Sequence, residues 1–275
     1  MGCDLDVVAS ADLAAALKSA AEGATVCLAA GTYDGPVSLS QAVTIRAADG
    51  VKEGAVIIDG MGAGPVVKIA PGARVTLEGL TLTGGEAEIG GGLQLLGGTH
   101  VTLVRCRLES LAASAKGGAV YVEEGTLVAT RTTFRDNRAS TGGAVAVEGT
   151  AQARFEGCLF VGNQGSRGAA ISAHDGARVE VIGSTFARNA GDSADLNVRG
   201  SMSRAPEVSV TGGIFEGGIT QRPAGAVTVK RSAFGPDAAG FTDDAGNVQG
   251  ALDLDKNGRV GDGSVAKGMG FDAED

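Results

Sequence analysis

The strongest constraint on this sequence is a repeat with a period of 26 residues. Large apolar side chains recur at that strict spacing through the middle of the chain, at Leu82, Leu108, Phe134, Phe160 and Phe186. The residues seven, five and two positions before each of them are mostly apolar or small. Alternation with a period of two indicates short strands that bury one face, and a repeat of about 20 to 50 residues indicates stacked structural units.

A repeat of this length excludes two architectures and favours a third. A leucine-rich repeat needs a leucine-rich helical period, which this repeat lacks, and a propeller blade needs about 40 residues. We therefore expect an all-β, single-domain parallel β-helix in which each repeat is one coil. Its two or three short strands would pair with the coils above and below at about 4.8 Å. Residues 1–240 would form the helix and its N-terminal cap, and residues 241–275 a closing segment or tail.

Two sets of repeated residues are expected to form ladders inside this helix. One is the stack of aromatic residues Phe134, Phe160 and Phe186. The other consists of the asparagines that follow each phenylalanine by three residues, Asn137, Asn163 and Asn189. Asparagine tolerates the left-handed backbone conformation, and its amide can hydrogen-bond to the same residue in the next coil.

Pairs of small residues mark a further corner of each coil, at Gly117–Gly118, Gly142–Gly143 and Gly168–Ala169. Glycine is suited to a corner that needs positive φ or a close approach between coils. The repeated motifs are therefore interpreted as scaffolding, and any function is expected on the outer surface.

The same motifs resemble those of a known family. The alternation of GGAV, GGAV and GAAI with FRDN, FVGN and FARN resembles the GGA(I/V) and FxxN repeats of polymorphic outer-membrane proteins, within the pectin-lyase-like superfamily of right-handed β-helices. The stretch ADLAAALKSAAEGATVCLAAGTYDGPVSLSQAVTIRA resembles the opening of many such helices, and DLDKNGRVGDGSVAKGMGFD resembles the segment that closes bacterial proteins of this type. The resemblance implies a right-handed helix but no single activity, because the superfamily contains adhesins, lyases, hydrolases and epimerases.

The N-terminal residues are expected to cap the first coil. Ser10 is a suitable N-cap for a helix over residues 10–22, in which Leu13, Leu17 and Ala20 fall on one face. Such a cap would cover a strand edge that is otherwise open to other molecules.

The four cysteines allow three pairings, and the repeat register favours one of them. Cys3 precedes the capping helix and Cys27 lies in the first strand, so a disulfide between them would staple the cap. Cys3 could instead be a former lipidation site, since the letters GC also end a lipobox. Cys106 and Cys158 lie two coils apart, about 9.6 Å, beyond the roughly 7 Å limit for a disulfide, and are expected to be buried free thiols.

Charge and composition limit the classes of partner that this protein can bind. A net charge of −9 argues against nucleic acid and anionic membrane, because phosphate binding requires a cationic face. No apolar run of about 18 residues exists to span a bilayer. The start MGCDLDVV has no signal-peptide pattern, so any signal peptide is expected to have been removed. The oligomeric state stays open.

The candidate catalytic residues are Glu123, Glu148 and His174, which with Arg199 form one outward column. Neighbours in such a column stand about 5 Å apart, and two carboxylates at that distance suit a retaining glycosidase. A solvated face of mixed charge, with Glu148 against His174 and Arg199, explains the same residues without catalysis. The resemblance implies clustered Asp ligands for calcium with an Arg base, or several Asp residues for hydrolysis, and neither set maps onto this sequence. The chain also lacks Trp, and Tyr121 is the lone outward tyrosine of the repeats.

A calcium loop is a second candidate site. Asp253, Asp255 and Asn257 in DLDKNG follow the start of a calcium-binding loop, with oxygen ligands at alternate positions. Position twelve is Ser264 rather than Glu, and the resemblance to a closing segment explains the same letters without a metal. No other cofactor is expected.

The preferred interpretation is a secreted or cell-surface bacterial β-helix that acts as a non-catalytic adhesive, carbohydrate-binding or structural module. Its ligand would be a polysaccharide or a cell-surface protein. The alternative is a polysaccharide lyase or glycoside hydrolase that acts on an acidic polysaccharide through Glu123, Glu148 and His174.

Overall fold

A computed structural model describes residues 2–192, 194–201, 204–222, 225–238, 246–256 and 259–267. The strands form parallel sheets in which neighbours come from successive coils, so the chain advances by one strand spacing with each repeat. Corresponding residues of adjacent central coils are 26 apart, as in the pairing of Phe134 with Phe160. The expected all-β solenoid of stacked coils is confirmed.

Sheet A contains the longest strands, most of them five residues in which the first, third and fifth side chains point outward. Its order is β1 (Leu5–Val7), β2 (Ala24–Leu28), β5 (Val43–Ala47), β8 (Arg74–Glu78), β12 (His100–Val104), β16 (Thr126–Thr130), β20 (Gln152–Glu156), β24 (Arg178–Ile182), β27 (Glu207–Thr211) and β30 (Ala226–Lys230).

Sheets B and C complete the walls of the coil. Sheet B contains β3 (Gly31–Asp34), β6 (Val56–Asp59), β9 (Thr81–Thr83), β13 (Arg107–Glu109), β17 (Thr133–Arg135), β21 (Leu159–Val161), β25 (Thr185–Ala187), β28 (Ile214–Phe215), β31 (Ala233–Phe234) and β32 (Val248–Gln249). Sheet C contains β4 (Val37–Leu39), β7 (Val67–Ile69), β11 (Leu93–Leu95), β15 (Val120–Glu123), β19 (Val145–Glu148), β23 (Ile171–His174), β26 (Leu196–Arg199) and β29 (Ile219–Gln221).

The phenylalanine column forms a continuous stack within the core. The rings of Phe134 and Phe160 lie 4.7 Å apart and nearly parallel, and Phe160 stacks on Phe186 at the same distance. Phe215 and Phe234 extend the stack, with centroid separations of 4.4 Å and 5.4 Å. Each ring is fully buried. The strand spacing thus places like side chains at contact distance from coil to coil.

The asparagine column forms a buried hydrogen-bonded ladder. The amide of Asn137 donates to the side-chain oxygen of Asn163 at 3.0 Å, and Asn163 donates to Asn189 at 2.9 Å. The expectation that these asparagines adopt positive φ is wrong, because the residue before each of them does so, with φ of 52° at Asp136 and 69° at Gly162. That residue makes the turn, which frees the asparagine to point inward.

A fourth sheet, the flange, was not expected. It consists of β10 (Glu86–Ile89), β14 (Ala112–Lys116), β18 (Arg138–Thr141) and β22 (Gln164–Arg167). A glycine follows each of the four strands, and Asn137 and Asn163 directly precede β18 and β22. A Cβ atom on Gly118 would lie 2.2 Å from the carbonyl oxygen of Gly143, so glycine is required for the close approach between coils there. Gly117, Gly142 and Gly168 adopt the expected positive φ.

The N-terminal cap is shorter than expected. The helix α1 spans Leu13–Ser19, and Asp12 rather than Ser10 is its N-cap, with the Asp12 carboxylate accepting a hydrogen bond from the Ala15 amide at 3.0 Å. Ala20 takes an extended conformation and ends the helix. The side chains of Leu13 and Leu17 are buried against the first coils.

The cysteines form one disulfide and two free thiols. Cys3 and Cys27 are bonded, with their Cα atoms 5.7 Å apart, and this bond ties the segment before α1 to sheet A. Cys106 and Cys158 are free and buried, and each thiol donates to a backbone carbonyl of the preceding coil.

Part of the closing segment packs on the outside of sheet B. Val248–Gln249 adds the strand β32, and Leu252, Leu254, Val260 and Ala266 lie against outward apolar residues of the last coils. The Arg188 guanidinium donates to the carbonyl oxygens of Asp255 and Lys256 at 2.9 Å and 2.6 Å. These contacts fasten the segment to the side of the helix.

Candidate functional site

The sequence-predicted catalytic residues lie in one column at the ends of sheet C strands. Glu123 pairs in register with Glu148, and His174 pairs with Arg199. The column follows from the repeat, because each of these residues is the last of its strand. The hydrogen-bond partners of Glu148 come from two residues that were not among the predicted ones.

Tyr121 and Lys116 are those partners. The Tyr121 hydroxyl lies 3.1 Å from Oε2 of Glu148 and 3.2 Å from Oε2 of Glu123, and the Lys116 ammonium lies 2.6 Å from the same Glu148 oxygen. Lys116 comes from the flange, 32 residues before Glu148. The Lys116 ammonium also lies 5.8 Å from the centroid of the Tyr121 ring.

Tyr121 is more enclosed than its outward position suggests. Its side chain points away from the core, yet the residue is only 4% exposed. Burial raises the pKa of its phenol, and the neighbouring negative charges of Glu148 and Glu123 raise it further. Tyr121 therefore stays protonated and can donate its single proton to only one of the two carboxylates at a time.

His174 is held by a second hydrogen-bonded chain. The Asn197 amide donates to the Ser172 hydroxyl at 3.1 Å, and that hydroxyl lies 2.6 Å from Nε2 of His174. The Ser172 hydroxyl donates to Nε2 in one tautomer of His174 and accepts from it in the other. Burial lowers the pKa of His174, against the opposing effect of the Glu148 and Asp175 charges. Ser172 is 0% exposed, so it orients His174 and cannot serve as a nucleophile for a substrate.

Sheet A carries a different kind of surface. A groove of about 580 Å³ runs across its outer face from Thr126 to Thr228. Arg154 forms ion pairs with Glu156 and Glu180 along this face. None of the catalytic candidates lines this groove.

The predicted calcium residues are partly engaged with the backbone of their own loop. The Asp255 carboxylate accepts from the Arg259 amide at 2.9 Å, and the Asp253 carboxylate accepts from the Gly263 amide at 3.4 Å. Asn257 lies outside the described residues. Calcium binding here stays a prediction, which the melting temperature with and without calcium would test.

The comparison with protein families decides to which family the chain belongs. A family model described as a right-handed β-helix region matches residues 54–232, which is more than half of the chain. The chain belongs to the right-handed β-helix family. No match was found among curated proteins.

A solved structure shows a similar fold over most of the length of this β-helix protein. The pectin methylesterase from Aspergillus niger in deglycosylated form aligns with a TM-score of 0.51 and 13% identity, covering 93% of this chain and 92% of that one. At this identity the likeness concerns the fold alone. Among the described residues of this β-helix protein, no helix has the length and hydropathy needed to cross a membrane.

Proposed function

We propose that this protein is an extracellular, non-catalytic β-helix that acts as a carbohydrate-binding or adhesive module. The observation that carries the proposal is the state of Glu148, the central residue of the catalytic candidates. Its side chain is only 14% exposed and is held by Lys116 and Tyr121. A carboxylate that is already paired and covered supports the structure of the column and is poorly placed to meet a substrate.

Two observations support the extracellular part of the proposal. The GGA(I/V) and FxxN repeats resemble those of polymorphic outer-membrane proteins. The disulfide between Cys3 and Cys27 is of a kind that persists mainly in oxidising compartments. Polysaccharides and cell-surface proteins are therefore the proposed ligands.

One observation favours the alternative, a polysaccharide lyase or glycoside hydrolase. The carboxylate oxygens of Glu123 and Glu148 lie within 3.2 Å of one hydroxyl, that of Tyr121. Their separation is therefore compatible with the roughly 5 to 5.5 Å between the two carboxyl groups of retaining glycosidases. In that alternative Glu123, the more exposed of the two, would face the substrate.

The test combines retention and cleavage. The purified protein is passed over immobilised acidic and neutral polysaccharides, and the same polymers are assayed for new reducing ends and for unsaturated products. Retention without products supports the binding module. If the wild type releases products and the Glu148→Gln variant releases none, with folding unchanged by circular dichroism, the protein is a lyase or hydrolase instead.

A further inference from the structure

The outer face of sheet A forms one continuous surface along the helix. A groove of about 310 Å³ includes Thr44, Thr76 and Thr102, and the larger groove of about 580 Å³ begins at Thr126. These two grooves adjoin, because the strands that contain Thr102 and Thr126 are hydrogen-bonded neighbours. From β5 to β30 the surface crosses seven strand spacings, about 34 Å. Its length suits an extended polymer better than a compact ligand.

The lining of this surface includes side chains that both donate and accept hydrogen bonds. Thr44, Thr76 and Thr102 are paired in register in successive coils, so their side chains form a row with the strand spacing. In the larger groove Gln152 and Ser209 supply an amide and a hydroxyl beside the charged residues. Such groups match the hydroxyls of a glycan, which also donate and accept.

The charges in the larger groove cancel one another. Arg154 is paired with Glu180, and Arg178 with Glu207 at 3.3 Å. Two cations and two anions line the larger groove, so its formal charges sum to zero, and Arg74 lines the smaller groove. The net charge of −9 on the whole chain adds a repulsive field for such a polymer.

We infer that sheet A binds an extended, uncharged glycan along the helix axis. The inference rests on the proposed function. It adds which face of the helix binds the ligand and which chemical class the ligand belongs to. The hydroxyls of the polymer would replace water on the Thr row and on Gln152 and Ser209. Binding would be insensitive to salt and would strengthen with chain length until the groove is filled.

The test uses two blocking variants and a matched control. Thr126→Trp and Ser209→Trp place a bulky side chain in the larger groove without changing charge or the core. Thr133→Trp is the control, because Thr133 lies in the same coil as Thr126, is half-buried to a similar degree and points outward from sheet B. Calorimetry measures binding of linear hexasaccharides of glucose, xylose and mannose, and of hexagalacturonate, at low and high salt.

The expected result is that at least one neutral hexasaccharide binds at both salt concentrations. Both sheet A variants should weaken this binding by about tenfold or more, and the control should leave it within about twofold. Neutral binding that survives in both sheet A variants overturns the choice of face and leaves the proposed function standing. Preferential, salt-sensitive binding of hexagalacturonate overturns the ligand chemistry alone. The absence of binding to any glycan overturns the inference, and products of cleavage overturn the proposed function.

Discussion

The side-chain amide of Asn189 donates to the carboxylate of Asp195 at 2.9 Å, and this bond ends the asparagine ladder. The next coil supplies no asparagine at the position three residues after Phe215, where Gly218 stands. Asp195 therefore accepts the last amide of the ladder with one oxygen and the Gly217 amide at 2.6 Å with the other. It joins the asparagine-bearing coils to those that follow.

The burial of Asp195 predicts a pH-dependent stability. Removal from water raises its pKa to about 6, although the hydrogen bonds from Asn189 and Gly217 act in the opposite direction. Because the folded-state pKa is above the unfolded value near 3.9, the group stabilises the fold most below about pH 4. That contribution, about 3 kcal/mol, is lost as the pH rises through about 6.

Asp195→Asn tests this prediction, since asparagine does not titrate in this range. Urea unfolding of both proteins between pH 4 and pH 7.5 gives the difference in their unfolding free energies at each pH. Titratable groups that the two proteins share contribute equally to both values, so their effects cancel in this difference. We expect the wild type to lose stability relative to the variant as the pH rises. A difference that does not vary with pH would contradict the raised pKa of Asp195.

A cavity in the phenylalanine stack is expected to be costly. Phe160 is 0% exposed and lies between the rings of Phe134 and Phe186. Phe160→Ala should lower the unfolding free energy by about 3 to 5 kcal/mol, measured by denaturant titration. The control is Leu159→Ala at the adjacent, half-buried position that points outward from sheet B. Equal losses in the two variants would argue against a tightly packed stack.

Thiol reactivity should report unfolding. Burial raises the pKa of Cys106 to about 11 and that of Cys158 to about 12, so neither forms a thiolate near neutral pH. We expect no reaction with a thiol reagent in the native protein, and two reactive thiols after denaturation without reductant. Four reactive thiols after denaturation would show that Cys3 and Cys27 are not bonded in solution.

Wild-type protein is expected to release no products from pectate, alginate or glucans. The reason is that Glu148 is paired with Lys116 and His174 is held by a buried serine. Reducing-end and ultraviolet assays check this, with Glu148→Gln beside the wild type. Activity that persists in Glu148→Gln would place the chemistry elsewhere on the molecule.

The strands of sheets A, B and C could be predicted because their pattern is local. An apolar residue at alternate positions shows which side of a strand is buried, and the 26-residue period shows which strands are neighbours. The start of the helix α1 was harder to predict from the sequence, because Ser10 and Asp12 are both suitable N-caps. In the structure the carboxylate of Asp12 accepts the Ala15 amide and begins the helix.

The flange could not be predicted from the sequence, because apolar and polar residues hardly alternate along its strands. The segment Ala112–Lys116 reads AASAK and Arg138–Thr141 reads RAST, so neither shows a strong buried face. These strands form because the same segment of the next coil stands beside them and pairs with their backbone. Prediction from side chains could not detect a sheet that depends on backbone pairing between coils.

The sequence by itself determined the stacked coils, the phenylalanine and asparagine columns and the column of Glu123, Glu148 and His174, since each depends only on spacing. Tertiary structure alone decided the partners of that column. Lys116 reaches Glu148 from 32 residues away because the flange folds beside sheet C, and Tyr121 is buried although it points away from the core. The physical reason is that a repeat specifies which residues share a face, whereas burial and hydrogen bonding depend on what other chain segments cover that face.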